Sequence, residues 1–135
     1  KKEVPANLTS HIIFTGRRDD VDEILHISDI SVLCSNPETH GEGISNSILE
    51  SMASGVPVIA TIGGGTAEIV DDNVTGYLIR PKDIDNLSKK IAHLLEDEKL
   101  RHKMGKSSRD KIEKYYSLEY MTEQYINLYK TVDRS

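Results

Sequence analysis

Residues 41–61 read GEGISNSILESMASGVPVIAT, and the fold follows from how this stretch divides. Gly41 to Ile44 is a glycine-bearing loop, and about Ser45 to Ser54 carries the spacing of a short helix. Gly55 suits the left-handed position that ends a helix, and PVIAT is an apolar, branched run of strand character. On a helical wheel Ile48, Leu49, Met52 and Ala53 form the stripe that packing would bury. Glu50 shares its azimuth with Asn46 and lies well off the centre of that stripe, so packing does not call for it; it is either one acid of a solvated helix face or a group with a ligand to hold. Glu42, ahead of the helix, is equally unexplained by packing.

Working outward, the same alternation repeats. HIIFTG (11–16), ISVLCS (30–35), PVIATI (57–62) and GYLIRP (76–81) read as strands, and DDVDEILHIS, SNSILESMAS and the shorter TAEIVDD read as helices between them. Repeated βα units predict a parallel sheet with helices on both faces, because parallel strands need a crossover of fixed hand. The expected fold class is α/β, a doubly wound, Rossmann-like domain with a helical carboxyl-terminal extension. After Pro81, Leu87, Ile91, Leu94 and Leu95 make an apolar helical stripe, and breaks near Asp97 and Ser117 divide the remainder into three helices, with Ser117 placed to cap the last. One unit is expected over 1–135, its α/β part at about 11–97 and its helical tail at about 98–132. Tyr115, Tyr116, Tyr120, Tyr125 and Tyr129 enrich that tail and predict a face that packs on another domain.

Composition narrows the class. A chain of 135 residues, 37% hydrophobic and 29% charged, is the size and make-up of one ordinary globular domain. No apolar run approaches the roughly 18 residues of a membrane span, and KKEVPANLTS lacks the apolar core of a signal peptide, so a cytoplasmic chain is expected. On that expectation the triplets Asn7–Thr9 and Asn73–Thr75 are chance matches to a glycosylation signal. Cys34, within DISVLCS, reads as a small buried hydrophobe. A net charge of −5 with no cationic stripe excludes a broad nucleic-acid surface.

In open parallel sheets ligands bind beyond the carboxyl ends of the strands, which directs attention to residues 16–20, 36–45, 63–66 and 82–83. The helix after Gly43 begins at the end of such a loop, and its free amides and positive dipole end make a seat for phosphate. Glu50 lies five residues past Ser45, about 7.5 Å of helical rise, and side chains lean back toward the amino terminus. With a diphosphate on the amides, a ribose comes within reach of Glu50, and a carboxylate accepts from both ribose hydroxyls. Glu42 can serve as a dipole partner of the first turn, or it can face a sugar beyond the diphosphate and stabilise developing positive charge.

The setting of the two acids closely resembles the carboxyl-terminal domain of GT-B glycosyltransferases of the retaining group typified by glycosyltransferase family four. The resemblance rests on EGISNSILESMASGVPVIAT followed by GGGTAEIVDDNVTGYLIRPKD, and extends to FTGRRDDVDEILHISDISVLCS, KIAHLLEDEKLRHKMG and YYSLEYMTEQYINLYK. It implies half of a GT-B architecture and transfer of a sugar from a nucleotide-diphosphate donor, UDP- or GDP-linked, with retention at the anomeric carbon. No cofactor is implied. By the resemblance Glu50 is the ribose-binding acid and Glu42 the catalytic acid facing the donor sugar. Gly43, Ile44, Ser45 and Asn46 surround the sugar and diphosphate, and Gly16 and Arg17 border the nucleobase. It further implies an amino-terminal acceptor domain, peripheral association of the parent protein with the inner membrane face, and acceptors such as a lipid-linked saccharide or surface polysaccharide.

Two departures stand out. The loop NPETHG is longer than the group's shortest form and adds Glu38 and His40, which have no companion at metal-ligand spacing, so no metal site is expected. The strand carrying Gly-Arg and a following Lys, whose cations neutralise the leaving diphosphate, has no counterpart in these residues, and the fragment alone is expected to be inactive. A non-catalytic nucleotide-sugar-binding or scaffolding relative is the competing reading, against which the intact pair Glu42 and Glu50 counts. A flavodoxin-like signalling domain would want paired aspartates with a companion lysine at its central strand ends, and a phosphorylase a pyridoxal-phosphate lysine. Neither pattern occurs.

Overall fold

The strongest strand signal, PVIAT, lies at the centre of the sheet. In the computed structural model, which describes residues 4–35 and 43–132, β2 (Val58–Thr61) is flanked by β1 (Ser31–Leu33) and β3 (Gly76–Ile79), both parallel to it. The register pairs Val32 with Ile59 and Ile59 with Tyr77. Val58, Ile59 and Ala60 are wholly shielded, as a strand covered on both faces requires.

Helix α2 (Asn46–Ala53) connects β1 to β2, and the single turn α3 (Thr66–Ile69) connects β2 to β3. Ile48, Met52 and Ile69 from these crossovers pack with Val58 and Ala60 on one face of the sheet. The pleat sends Ile59 to the opposite face with Tyr77 and Ile79, where α4 (Ile84–Glu96) covers them through Leu87, Ile91 and Leu94. Helix α5 (Glu98–Tyr115) joins both layers, since Met104 belongs to the second cluster and Ile112 to the first. The short α1 (Val21–His26) rests on α2, and α6 (Leu118–Val132) buries none of its residues.

Local chemistry ends these elements where the sequence indicated. Gly55 adopts φ +73°, and two bonds of 3.0 Å, from Gly55 N to Met52 O and from Val56 N to Ser51 O, close α2 in a Schellman motif. Asp83 caps α4 by accepting from Asn86 N at 3.0 Å, and Asp97 caps α5 by accepting from Leu100 N at 2.9 Å. Ser117 accepts from Tyr120 N at 3.2 Å at the start of α6.

Three expectations are corrected. HIIFTG forms no strand: a 3-10 turn occupies Ala6–His11, the following residues lie outside any ladder, and Ile13 and Phe14 are 85% and 83% exposed. Its branched residues supply β propensity, but a strand exists only by pairing, and among the described residues β1 pairs with β2 alone. Cys34 is exposed rather than buried, because it follows β1 at the sheet's edge, where Val32 is also 42% exposed. The buried stripe of α2 is Ile48, Ser51 and Met52, not Ala53, which is exposed. Ser51 tolerates burial because its hydroxyl lies 2.8 Å from Ser31 Oγ and 2.7 Å from Ser47 O.

Candidate donor site

The start of α2 is built for an external acceptor. Ser45 holds extended dihedrals and makes no side-chain cap; its hydroxyl turns instead to Ser47 Oγ at 2.9 Å. The first bonds the helix makes run from Ile48 N and Leu49 N to Ser45 O, both at 3.2 Å, leaving the amides of Asn46 and Ser47 without an acceptor among the described residues. No acidic residue occupies the first turn, so the positive end of the dipole is not neutralised there.

A second loop closes on this start. Gly65, in the glycine turn after β2, donates its amide to Gly43 O at 3.1 Å, and a Cβ at Gly65 would stand 2.9 Å from Ile44 Cγ1. Only glycine allows the two strand-end loops to approach so closely. Gly43, Ile44, Ser45 and Asn46 therefore lie together beside Gly63–Gly65. Glu42 lies outside the described residues, as do Glu38 and His40.

Glu50 is exposed, and its side chain makes no hydrogen bond or ion pair among the described residues. Its side chain lines a cavity of about 310 Å³ between the two helices, with Val21, Asp22 and Leu25 of α1 and Ala53 and Ser54 at the end of α2. The carboxylate is thus neither committed to the core nor tied into a salt bridge among the described residues. Gly16 takes φ +65° with open space around it, and Arg17 is exposed and unpaired among the described residues. The neighbouring Arg18, which sequence reasoning passed over, is the engaged cation. It grips both carboxylate oxygens of Asp20, Nε to Oδ1 at 2.7 Å, at the entry to α1. That fork raises the guanidinium's pKa and holds the Asp20 carboxyl below its usual range.

A separate cavity of about 210 Å³ opens at the carboxyl ends of the strands, lined by Cys34, Thr61, Ile79, Lys82, Asp83 and Leu87 among others; of the strand-end segments the sequence pointed to it takes in residues 82–83, while Gly16, Arg17, Gly43, Ile44, Ser45, Asn46 and Glu50 do not border it. Sequence reasoning also missed what supports the glycine turn. Lys111 Nζ and Tyr116 OH, 43 and 48 residues away, both donate to the Glu68 carbonyl, at 3.1 and 3.2 Å. No local pattern announces contacts of that separation. Among the described residues no three His, Cys, Asp or Glu side chains group as metal ligands, and no helix is long and apolar enough to cross a membrane.

The family model for glycosyl transferases group 1 matches residues 5–111. N-acetyl-alpha-D-glucosaminyl L-malate synthase of Bacillus anthracis is 34% identical over 128 residues, covering 95% of this chain and 32% of that protein. The crystal structure of the C-terminal domain of a glycosyl transferase group 1 family protein (LpcC) from Francisella tularensis shares 34% identity at a TM-score of 0.67, over 79% of this chain and 53% of that one. TarM of S. aureus, solved with fondaparinux, alpha-GlcNAc-glycerol and UDP, shares 27% identity at a TM-score of 0.76, over 90% of this chain and 24% of its own. The chain spans about a third of the length of the curated relative it matches.

Proposed function

The chain belongs to the group 1 glycosyl transferases, and from that membership we propose that it is the donor-binding part of an enzyme transferring a sugar from a nucleoside diphosphate to an acceptor, with retention at the anomeric carbon. The observation that carries this reading is the start of α2, whose Asn46 and Ser47 amides have no acceptor among the described residues, beside the Gly43–Gly65 contact, with Glu50, unpaired among the described residues, farther along the same helix.

The parts divide the work by chemistry. The amides of Asn46 and Ser47 and the helix dipole hold the diphosphate, and the glycine turn brings backbone against it without side-chain bulk. Glu50 accepts from the ribose hydroxyls, its side chain leaning back along α2 toward the helix start. Gly16 and Arg17, in the segment leading to α1, border the base. Glu42, from its place in the sequence, faces the sugar and stabilises charge that develops at the anomeric carbon. The UDP bound in TarM favours a uridine nucleotide as the donor class. Catalysis of this kind is positional and electrostatic, so turnover needs further cations and an acceptor domain from the rest of the protein, and the 135-residue chain alone binds without turning over.

Titration of the chain with UDP and with GDP, for the native sequence and Glu50→Gln, tests this. The variant keeps the shape of the side chain and loses its charge, and about tenfold weaker binding is expected, the scale of a charge-assisted hydrogen bond. Equal affinity for the two proteins would remove Glu50 from the site.

A further inference from the structure

We infer that Lys111 and Tyr116 are positioning residues for the anion-binding turn, acting through the Glu68 carbonyl; this rests on the reading of the α2 start as the diphosphate site. Glu68 belongs to α3, which is only four residues long and ends with the bond from Val70 N to Thr66 O at 2.9 Å. A lone turn of helix has little stability of its own. It nonetheless fixes the glycine turn, because Glu68 N donates to Gly65 O at 3.1 Å and Gly65 N donates to Gly43 O at 3.1 Å. The Glu68 carbonyl in turn receives Lys111 Nζ at 3.1 Å and Tyr116 OH at 3.2 Å. Lys111 also holds the exit of α3, reaching Asp71 Oδ1 at 2.9 Å.

The path from Lys111 to the residue before Ile44 therefore consists of three consecutive hydrogen bonds. Its outer end is mounted on an 18-residue helix that is packed along α2. The Lys111 side chain is only 15% exposed, whereas Glu68 and Asp71 are exposed, so the ion pair with Asp71 is open to solvent screening and the hold on the turn rests on the two bonds to the Glu68 carbonyl. Neither residue touches the proposed ligand position. Their effect is to set how closely the Gly63–Gly65 backbone approaches the start of α2, and so the width of the seat for the diphosphate.

The test uses the 135-residue chain with UDP and uridine as probes, comparing the native sequence with Tyr116→Phe, Lys111→Arg and the double variant Lys111→Met with Tyr116→Phe. NMR reads both the hydrogen exchange of the Gly65 amide and the binding of each probe. The double variant is expected to speed Gly65 exchange and weaken UDP about fivefold, with uridine binding unchanged. Tyr116→Phe is expected to give a smaller effect of the same kind, and Lys111→Arg to retain native behaviour. Unchanged Gly65 exchange and UDP binding in the double variant would overturn the inference, as would equal losses for UDP and uridine, which mark a general structural effect. Failure of the native chain to bind UDP would instead remove the donor-site reading, with Gly65 exchange alone still deciding whether the clamp holds the turn.

Discussion

A Cβ placed on Gly105 would stand 2.0 Å from the carbonyl oxygen of Gly55. Helix α5 therefore rides on the left-handed end of α2 at backbone contact distance, with Met104 and Ser108 buried on either side. Gly105→Ala must push the two helices apart and disturb both apolar clusters that α5 joins. A loss of about 1–3 kcal/mol is expected, read from the urea midpoint at unchanged m-value. A native midpoint would show that the helices sit farther apart in solution.

Ser51, only 2% exposed, links α2 to β1 through Ser31 and closes on Ser47 O within its own helix. Ser51→Ala removes both contacts and leaves the Ser31 hydroxyl facing apolar packing. The expected cost is about 1–2 kcal/mol in equilibrium denaturation. A stability gain instead would mean that the buried hydroxyl is a net burden and Ala the better core residue.

The Arg18–Asp20 fork gives a pH signature at the mouth of α1. Hydrogen bonds from Arg18 favour the ionised carboxylate, so Asp20 titrates lower when folded than when unfolded. The contact is therefore fully present above the unfolded aspartate value of about 3.9 and is lost as pH falls through the lowered folded value. Following the Asp20 carboxyl by NMR, Arg18→Ala is expected to raise its midpoint toward the ordinary range. Identical midpoints in the two proteins would mean that the fork does not persist in water. Both side chains are well exposed, so the signature is expected in the titration of Asp20 far more than in overall stability.

Several features of this chain were legible because their causes lie within a few residues. The alternation of PVIAT with helical spacings specified a parallel α/β layer, Gly55 specified where α2 stops, and Asp97 and Ser117 marked the joints between the last three helices. The candidate site was legible in the same way. A glycine loop, a helix start and an acid one and a half turns along are all near neighbours in sequence, and the structure leaves that helix start open and that acid unpaired among the described residues.

Other features depend on which distant backbones meet. HIIFTG has the residues of a strand yet no ladder, because propensity cannot supply a neighbouring chain. Cys34 is exposed because strand position, not hydrophobicity, sets what covers it, and Ser51 is buried because a serine on another element satisfies it. The approach of Gly65 to Gly43, and the hold of Lys111 and Tyr116 on Glu68, are likewise matters of packing alone. Periodicity and capping are local and survive in the one-dimensional text, whereas contact between segments tens of residues apart is fixed only when the layers close, and that closure shapes the seat proposed for the diphosphate.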